Sequence, residues 1–535
     1  MDNINRNFRI MERRDFLKIS GLAGIAVILG LAPQCTQPVK SPNILFIMTD
    51  QQPVSCVGVY NEAVKTPHLD KLARQGITFD NFYISGFPCS PSRASILTGR
   101  YPHNHGVIKN DIQLDPSIPT LGSICREAGY QTGYFGKGHL GGNMYPDRHK
   151  DPLPEKFTEY WRYEIRKTPE GWQLEKMGGG PGEDFPQLGF TEWAGGWRQY
   201  KDWLKEHGQD QFVVQAGNHD AVQSTPEGKH MFSRLGEEYH MAAFFAEKTE
   251  QFVRQHAKDA EPWAAVLSFF GPHLPVSPPK PWDTIYSLDN IPLPGNHFDS
   301  LEGKPYRQQN NDLCYVLPRW SDEQFKDYIR RYWGYCGYID QQIGTIFVAL
   351  QETGQWDNTI VIFTSDHGDM VGSHGMIWKL GTCGYEELFR VPAIIKVPGI
   401  LDKNRHSNAL AGNIDLLPTI LEAAGIKLPG DIDGRSLIPI IKGTANQHRD
   451  IVFADVMDES IICRNEKYKF VLNWKNKDLD ELYNLETDPG ELMNLALQPE
   501  FSDHVKEMKE KVFQWTEEAR HPYSKLIKQS VLEKD

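Results

Sequence analysis

The chain has no excess of positive charge: 57 Lys and Arg stand against 70 Asp and Glu, for a net charge of -13. That balance excludes a global basic field of the kind that draws in nucleic acid. A polyanionic ligand would have to be held by local positive charge, in a pocket rather than on a broad face. No two of the 8 cysteines form a CxxC pair, which argues against a structural zinc site. With Cys35 and Cys89 set apart, the other six are scattered through a large chain, and their spacing selects no disulfide pairing. The N-terminal apolar stretch, Ile19 to Ala32, is shorter than the ~20 residues that span a bilayer. No internal repeat is evident.

That short stretch follows Arg13-Arg14-Asp15-Phe16-Leu17-Lys18 and gives way to Pro33. A basic flank before a short apolar segment reads as an export signal over residues 1–34, and the arginine pair resembles the twin-arginine type. Cys35 is a candidate lipid-attachment site, although Ala32-Pro33-Gln34 before it fits a lipoprotein box poorly. The expectation is an exported protein, periplasmic or held at the outer membrane as a lipoprotein.

A length of 535 residues suits one large catalytic domain and a smaller one. Ile44 to Met48 is a continuous apolar run, too short for a helix, that ends at Asp50-Gln51. Such runs suit strands buried on both faces of a parallel sheet. Ala264 to Phe270 ends at His273, Thr359 to Phe363 ends at Asp366-His367, and the weaker run Thr132 to Phe135 ends at Lys137-Gly138-His139. Helical signals alternate with them: one starting at Thr66-Pro67, then Pro119 to Ala128, Ser321 to Thr353 and Ile414 to Ala424. The alternation predicts an α/β fold with a largely parallel sheet, catalytic over 41–440. Ligands of such sheets bind beyond the carboxyl ends of the strands, where all four runs place polar residues.

Residues 141–261 lose the alternation and hold Trp161, Trp172, Trp193, Trp197 and Trp203 beside Gly178-Gly179-Gly180-Pro181-Gly182. The segment reads as a substrate-shaping insertion, its tryptophans divided between sugar-facing rings and a small core of their own. From 441 to 535 shorter elements suggest a C-terminal subdomain with a terminal helix from Ser502 to Arg520.

Cys89 precedes Pro91 in the pattern of a helix start, with Ser90 near the cap and Gly99 after the end. The helix dipole there favours an anion, and Arg93, four residues on, can share a face with Cys89 and hold an oxyanion beside it. On these grounds Cys89 is either a thiolate nucleophile or a buried structural cysteine. The whole run, Cys89-Ser90-Pro91-Ser92-Arg93 through Leu97-Thr98-Gly99-Arg100, resembles the signature of the type I sulfatases. The resemblance extends from Asn43-Ile44-Leu45 to Asp488-Pro489-Gly490-Glu491.

The resemblance implies an alkaline-phosphatase-like fold with a small C-terminal domain, and oxidation of Cys89 to formylglycine by a formylglycine-generating or radical maturation enzyme. It implies one Ca2+ held by Asp50, Gln51, the modified Cys89, Asp366 and His367. Most relatives carry Asp at Gln51 and many carry Asn at His367. Lys137 and Lys379 match lysines that bind sulfate oxygens, and His139 matches the residue that assists sulfate release. His273 matches the histidine that protonates the leaving oxygen. Gly138 replaces a family tryptophan and opens space nearby. His374 either contacts the sugar or orders its loop, and His103 and His105 are expected to stiffen the segment after the signature helix. The implied substrate is a sulfated carbohydrate, from a glycosaminoglycan or algal polysaccharide. The competing readings are a phosphodiester or phosphonate ester hydrolase and a non-catalytic glycan-binding homologue.

Overall fold

The computed structural model describes residues 41–110, 112–140, 162–168, 171–177, 188–195, 197–209, 222–224, 231–233, 235–309, 320–379, 383–400, 405–457, 459–475 and 478–532. The export-signal expectation at 1–34, Cys35, Trp161 and Gly178 to Gly182 lie outside them, as do the side chains of Trp172 and Trp197. Among the described residues no helix is long and apolar enough to cross a membrane.

The strand Asn43–Asp50 is buried along its whole length at the middle of an eight-stranded sheet. Its neighbours Trp263–Pro272 and Thr359–Ser365 run parallel to it, and Gln131–Gly136 runs parallel to the former. Glu192–Ala194 extends that edge in parallel. On the other side Ala393–Lys396 and Ile77–Phe79 enter antiparallel, and Arg405–Ser407 completes the sheet. The largely parallel sheet is thus as the sequence suggests. The register Thr49↔Ser365, Asp50↔Pro272 and Gly136↔Ser268 levels the carboxyl ends of four strands. That levelling brings four polar tails to one edge.

The two sheet faces explain the unbroken apolar runs. Ile44, Phe46 and Met48 pack on one side with Leu97 and Leu417, from the helices Cys89–Thr98 and Leu416–Ala424. Leu45 and Ile47 pack on the other with Phe244 and Tyr332, from Met241–Gln255 and Asp322–Glu352. Each such side chain contributes about 1.5–3 kcal/mol by leaving water. The long helix starts at a capping box of Ser321 and Gln324. Leu121–Glu127 starts at one of Thr120 and Ser123. Thr66 precedes Pro67–Ala73 but does not cap it; its hydroxyl takes the Gly58 N–H instead.

Residues Ser41–Asp535 cluster as one compact unit. The second sheet is antiparallel through Ile451–Val456, Ser460–Asn465, Tyr468–Leu472 and Glu481–Asn484, and the helix Ser502–Glu518 packs against it. Its fifth strand is Gly86–Phe87, which pairs in parallel with Ile451–Val456. The C-terminal sheet therefore holds the residues that lead into Cys89. In the insertion, Trp203 is buried against Tyr200 and Phe244, and Trp193 is partly buried against the core. These two tryptophans pack the fold.

His105 is buried, its Nε2 3.1 Å from the Ser95 hydroxyl and its Nδ1 accepting the Val107 N–H. Burial pushes its pKa down to about 3. His103, in the short helix Pro102–His105, is tied to the second sheet and the terminal helix: its Nδ1 lies 2.6 Å from Asp455 and its Nε2 3.1 Å from the Ala519 carbonyl. Both ring nitrogens face acceptors, which only an imidazolium satisfies. Burial opposes that charge, but the bond to Asp455 outweighs it and raises the His103 pKa. Asp455 also faces His521 Nε2 at 3.3 Å, and its carboxyl is held below the ordinary range.

Two outcomes follow from this packing. Gly136 has φ +117, and a Cβ there would stand 1.7 Å from the Ser268 carbonyl oxygen. Gly136→Ala should destabilise the protein by about 3 kcal/mol or more, read as a lowered thermal midpoint. The raised His103 pKa makes its contribution complete below about pH 6.5 and progressively lost as pH rises through the folded value. Asp455 works in the opposite sense, its contribution being present above about pH 3.9 and lost on acidification. His103→Gln should cost about 2 kcal/mol near pH 6 and flatten the decline in thermal midpoint above neutrality; an unchanged pH profile would contradict the imidazolium assignment.

Candidate active site

The helix Cys89–Thr98 begins two residues earlier than the Ser90-cap reading: Pro88 is the boundary residue and Cys89 the first helical one. Pro91 is tolerated because the first-turn N–H groups have no intrahelical partner. Gly99 ends the helix in the left-handed conformation, as expected. Cys89 is 1% exposed. Its Sγ lies 2.9 Å from Lys379 Nζ, 3.2 Å from His367 Nε2 and 3.9 Å from Asp50 Oδ1. Burial alone would raise the thiol pKa, but Lys137, Lys379 and His367 carry it well below its usual value.

Arg93 does not hold an oxyanion beside the thiol, because its guanidinium is already engaged. Nε donates to Asp366 at 2.8 Å and Nη2 to Asp50 at 3.1 Å. Nη1 donates to the Lys137 carbonyl and the Ser268 hydroxyl, each at 2.7 Å. The side chain is wholly buried, so it braces two carboxylates and the tail of a third strand from inside. Asp50 also accepts from Lys137 Nζ. Burial and the Cys89 thiolate raise the Asp50 pKa, but Lys137 and Arg93 together hold it below the carboxylate range. Burial raises Asp366.

The metal-ligating atoms of Asp50, Cys89, Asp366 and His367 all lie within 4.8 Å of one another. His367 Nδ1 donates to the Gly368 carbonyl at 2.8 Å, which leaves the Nε2 lone pair for the site. Gln51 has a left-handed backbone, φ 71, and its N–H donates to Asp366 Oδ1 at 3.0 Å. Its Nε2 donates to Asp369, whereas its Oε1 is buried without a hydrogen-bond partner among the described residues. An orphaned amide oxygen beside two carboxylates is the donor set a hard cation such as calcium takes, so the residues fit one.

Lys379 Nζ also stands 2.9 Å from His273 Nε2. His273 Nδ1 donates to the Leu274 carbonyl at 2.7 Å, so its Nε2 accepts from the ammonium. Burial, reinforced by Lys379, pushes the His273 pKa down to about 3. His273 is therefore a neutral acceptor here, and Lys379 is the hydrogen-bond donor beside the site. This differs from the sequence expectation of a protonating His273. His139, at φ 56, contributes a hydrogen bond to Cys89.

His374 is the position where the structure decides between two readings. It is fully buried, with Nδ1 2.7 Å from Asp299, Nε2 3.0 Å from Asn296 Nδ2, and its ring stacked on Tyr385 at 3.8 Å. It orders its loop and has no surface left for a sugar. Sequence reasoning missed Ser92, Ser268 and Asp369. Ser92 donates from its hydroxyl to the Asp366 carbonyl, and Ser268 bridges Arg93 to the Lys137 carbonyl. Only Asp369 left a signal, as an acid three residues after Asp366 in the same strand-end run.

A family model described as sulfatase matches residues 42–426, and one described as N-sulphoglucosamine sulphohydrolase, C-terminal, matches residues 372–518. An arylsulfatase of Clostridium perfringens (strain 13 / Type A) is 29% identical, over 91% of this chain and 97% of that protein. An N-acetylglucosamine-6-O-sulfatase of Bacteroides thetaiotaomicron is 25% identical, over 93% of this chain and 90% of that protein. The solved phosphonate monoester hydrolase of Silicibacter pomeroyi superposes with a TM-score of 0.71 at 24% identity, over 89% of this chain and 96% of that one. That likeness establishes the shared alkaline-phosphatase-like fold. With most of its length matched, and with carboxylates, lysines and cysteine gathered at one sheet edge, the chain belongs to the sulfatase family.

Proposed function

We propose that this sulfuric ester hydrolase removes sulfate from sulfated carbohydrates, glycosaminoglycan or algal fragments, with a nucleophile made by oxidising Cys89 to formylglycine. One observation carries the reading: the Cys89 sulfur sits at a helix start, between the Lys379 ammonium and His367, against the Asp50 and Asp366 carboxylates. The Sγ position stands in for the oxygens of the modified residue. A thiol would stall once sulfated, because it has no second group with which to expel sulfate. The hydrated aldehyde supplies two hydroxyls on one carbon, one to take the sulfuryl group and one whose deprotonation releases it.

The chain's own residues then divide the work. Lys137 and Lys379 neutralise sulfate oxygens, an electrostatic task that burial strengthens. Lys379 donates a proton to the leaving sugar oxygen, its ammonium oriented by the His273 Nε2 that accepts from it, and solvent water restores that proton. His139 bonds the second geminal hydroxyl, the one that is not sulfated, and takes its proton during release. Arg93 keeps Asp50 and Asp366 in place throughout. Asp50, Gln51, Asp366, His367 and the modified Cys89 would hold calcium, which when bound supplies positive charge to the nucleophile oxygen.

The carbohydrate reading is supported by the N-acetylglucosamine-6-O-sulfatase relative. Maturation requires a formylglycine-generating or radical enzyme as partner, and residues 1–34 are proposed to direct export to the periplasm, with Cys35 a candidate lipid anchor. A second reading, phosphonate or phosphodiester hydrolysis, draws on the fold shared with the Silicibacter pomeroyi enzyme. A non-catalytic glycan binder is disfavoured, because the cysteine, lysine and histidine positions are filled by reactive residues.

Protein produced with a maturation enzyme should give a Cys89 peptide whose mass reflects an aldehyde in place of the thiol. Cys89→Ala should lower sulfatase turnover by at least about 10⁴-fold. A thiol in every copy of fully active protein would end the formylglycine proposal. Aryl sulfate should be turned over at least ~10-fold better than aryl phosphonate, a transition-state preference of about 1.4 kcal/mol; the reverse order would favour the second reading.

A further inference from the structure

Gln51 stands where the family resemblance places a second aspartate, and the structure shows what fixes its amide. Asp369 is wholly buried. Its Oδ2 accepts from Gln51 Nε2, and its Oδ1 accepts the backbone N–H of Val371 at 2.8 Å and of Trp378 at 3.1 Å. Three donors converge on this one carboxylate. A carboxylate cannot donate, so it selects the amide orientation in which the Gln51 nitrogen faces Asp369 and Oε1 is left over. The leftover oxygen is the buried one without a partner. The Gln51 backbone is held as tightly: its N–H is on Asp366, and its carbonyl accepts from the Tyr332 hydroxyl.

The same carboxylate closes a loop. Met370 N–H donates to the Trp378 carbonyl at 3.1 Å and Gly372 N–H to the Met376 carbonyl at 2.7 Å, so residues 370–378 form a closed turn. Asp369 caps its base at Val371 and Trp378, and Lys379 is the next residue. Loop and amide are thus fastened to the two oxygens of one side chain.

We infer that Asp369 is a positioning residue that turns the Gln51 amide oxygen toward the cation and, through its other oxygen, ties that ligand to the loop delivering Lys379. The negative charge absent from position 51 is present one bond sphere further out. This rests on the calcium reading of the preceding section, so its test must separate the two. The probe is calcium itself, and the readout is the affinity of the full chain by chelator competition, independent of turnover.

Asp369→Asn keeps an oxygen for Val371 and Trp378 but turns an NH2 group onto Gln51. The Gln51 amide should flip, present its nitrogen to the cation, and weaken calcium binding by about 10–100-fold. In the double variant Q51E/D369N, the carboxylate introduced at position 51 accepts from the new amide at position 369 with one oxygen and offers the other to the cation. That pair should restore at least the parent affinity. Parent-like affinity in D369N overturns the inference, as does a double variant that binds no better than D369N. Should D369N fail to fold, the double variant alone decides, and its failure to fold or bind also overturns the inference, because every contact made by the two side chains is preserved in it. No calcium binding by the parent chain would instead remove the metal reading itself.

Discussion

Arg93 is the contact on which the rest of the site depends. Two carboxylates buried from water at adjacent strand ends repel one another, and each would prefer to take up a proton. A guanidinium between them, wholly buried, supplies the compensating charge and fixes their spacing through separate hydrogen bonds. Its remaining donors reach Lys137 and Ser268, so one side chain gathers the ends of four strands. A lysine could supply the charge but not this planar set of directed donors. The nucleophile helix is built around that side chain, since Arg93 and Cys89 lie one turn apart on it.

Much of this was legible in the sequence, for reasons that are physical. A parallel sheet covered on both faces needs unbroken apolar strands, and Ile44 to Met48 and Thr359 to Phe363 are such runs. Where a run ends at the ligand edge, the next residues face the site, which is why Asp50, Lys137, His273 and Asp366 could be picked out in order. Ser321 marked the start of the long helix because a first-turn N–H needs a nearby oxygen.

What stayed hidden depends on contacts between distant segments. The preoccupied state of Arg93 needs Asp50 and Asp366, residues 43 and 273 positions away. The neutrality of His273 follows from its burial and from Lys379, which the sequence places 106 residues on. His374 reads as a loop histidine in a glycine-rich stretch until Asp299 and Tyr385 close around it. Gly86–Phe87 is too short a strand to announce itself, and its partner lies in the last hundred residues of the chain.

That two-residue strand bears on the order of events during synthesis. The segment leading to Cys89 is completed only when Asp455 and Val456 pair with it, and those residues leave the ribosome long after Cys89 does. Once they arrive, the sulfur is 1% exposed and enclosed by the site it serves. On the formylglycine proposal, an enzyme that oxidises this cysteine would have to reach it before the C-terminal sheet forms around it. On that proposal, the architecture that encloses the sulfur also sets the deadline for modifying it.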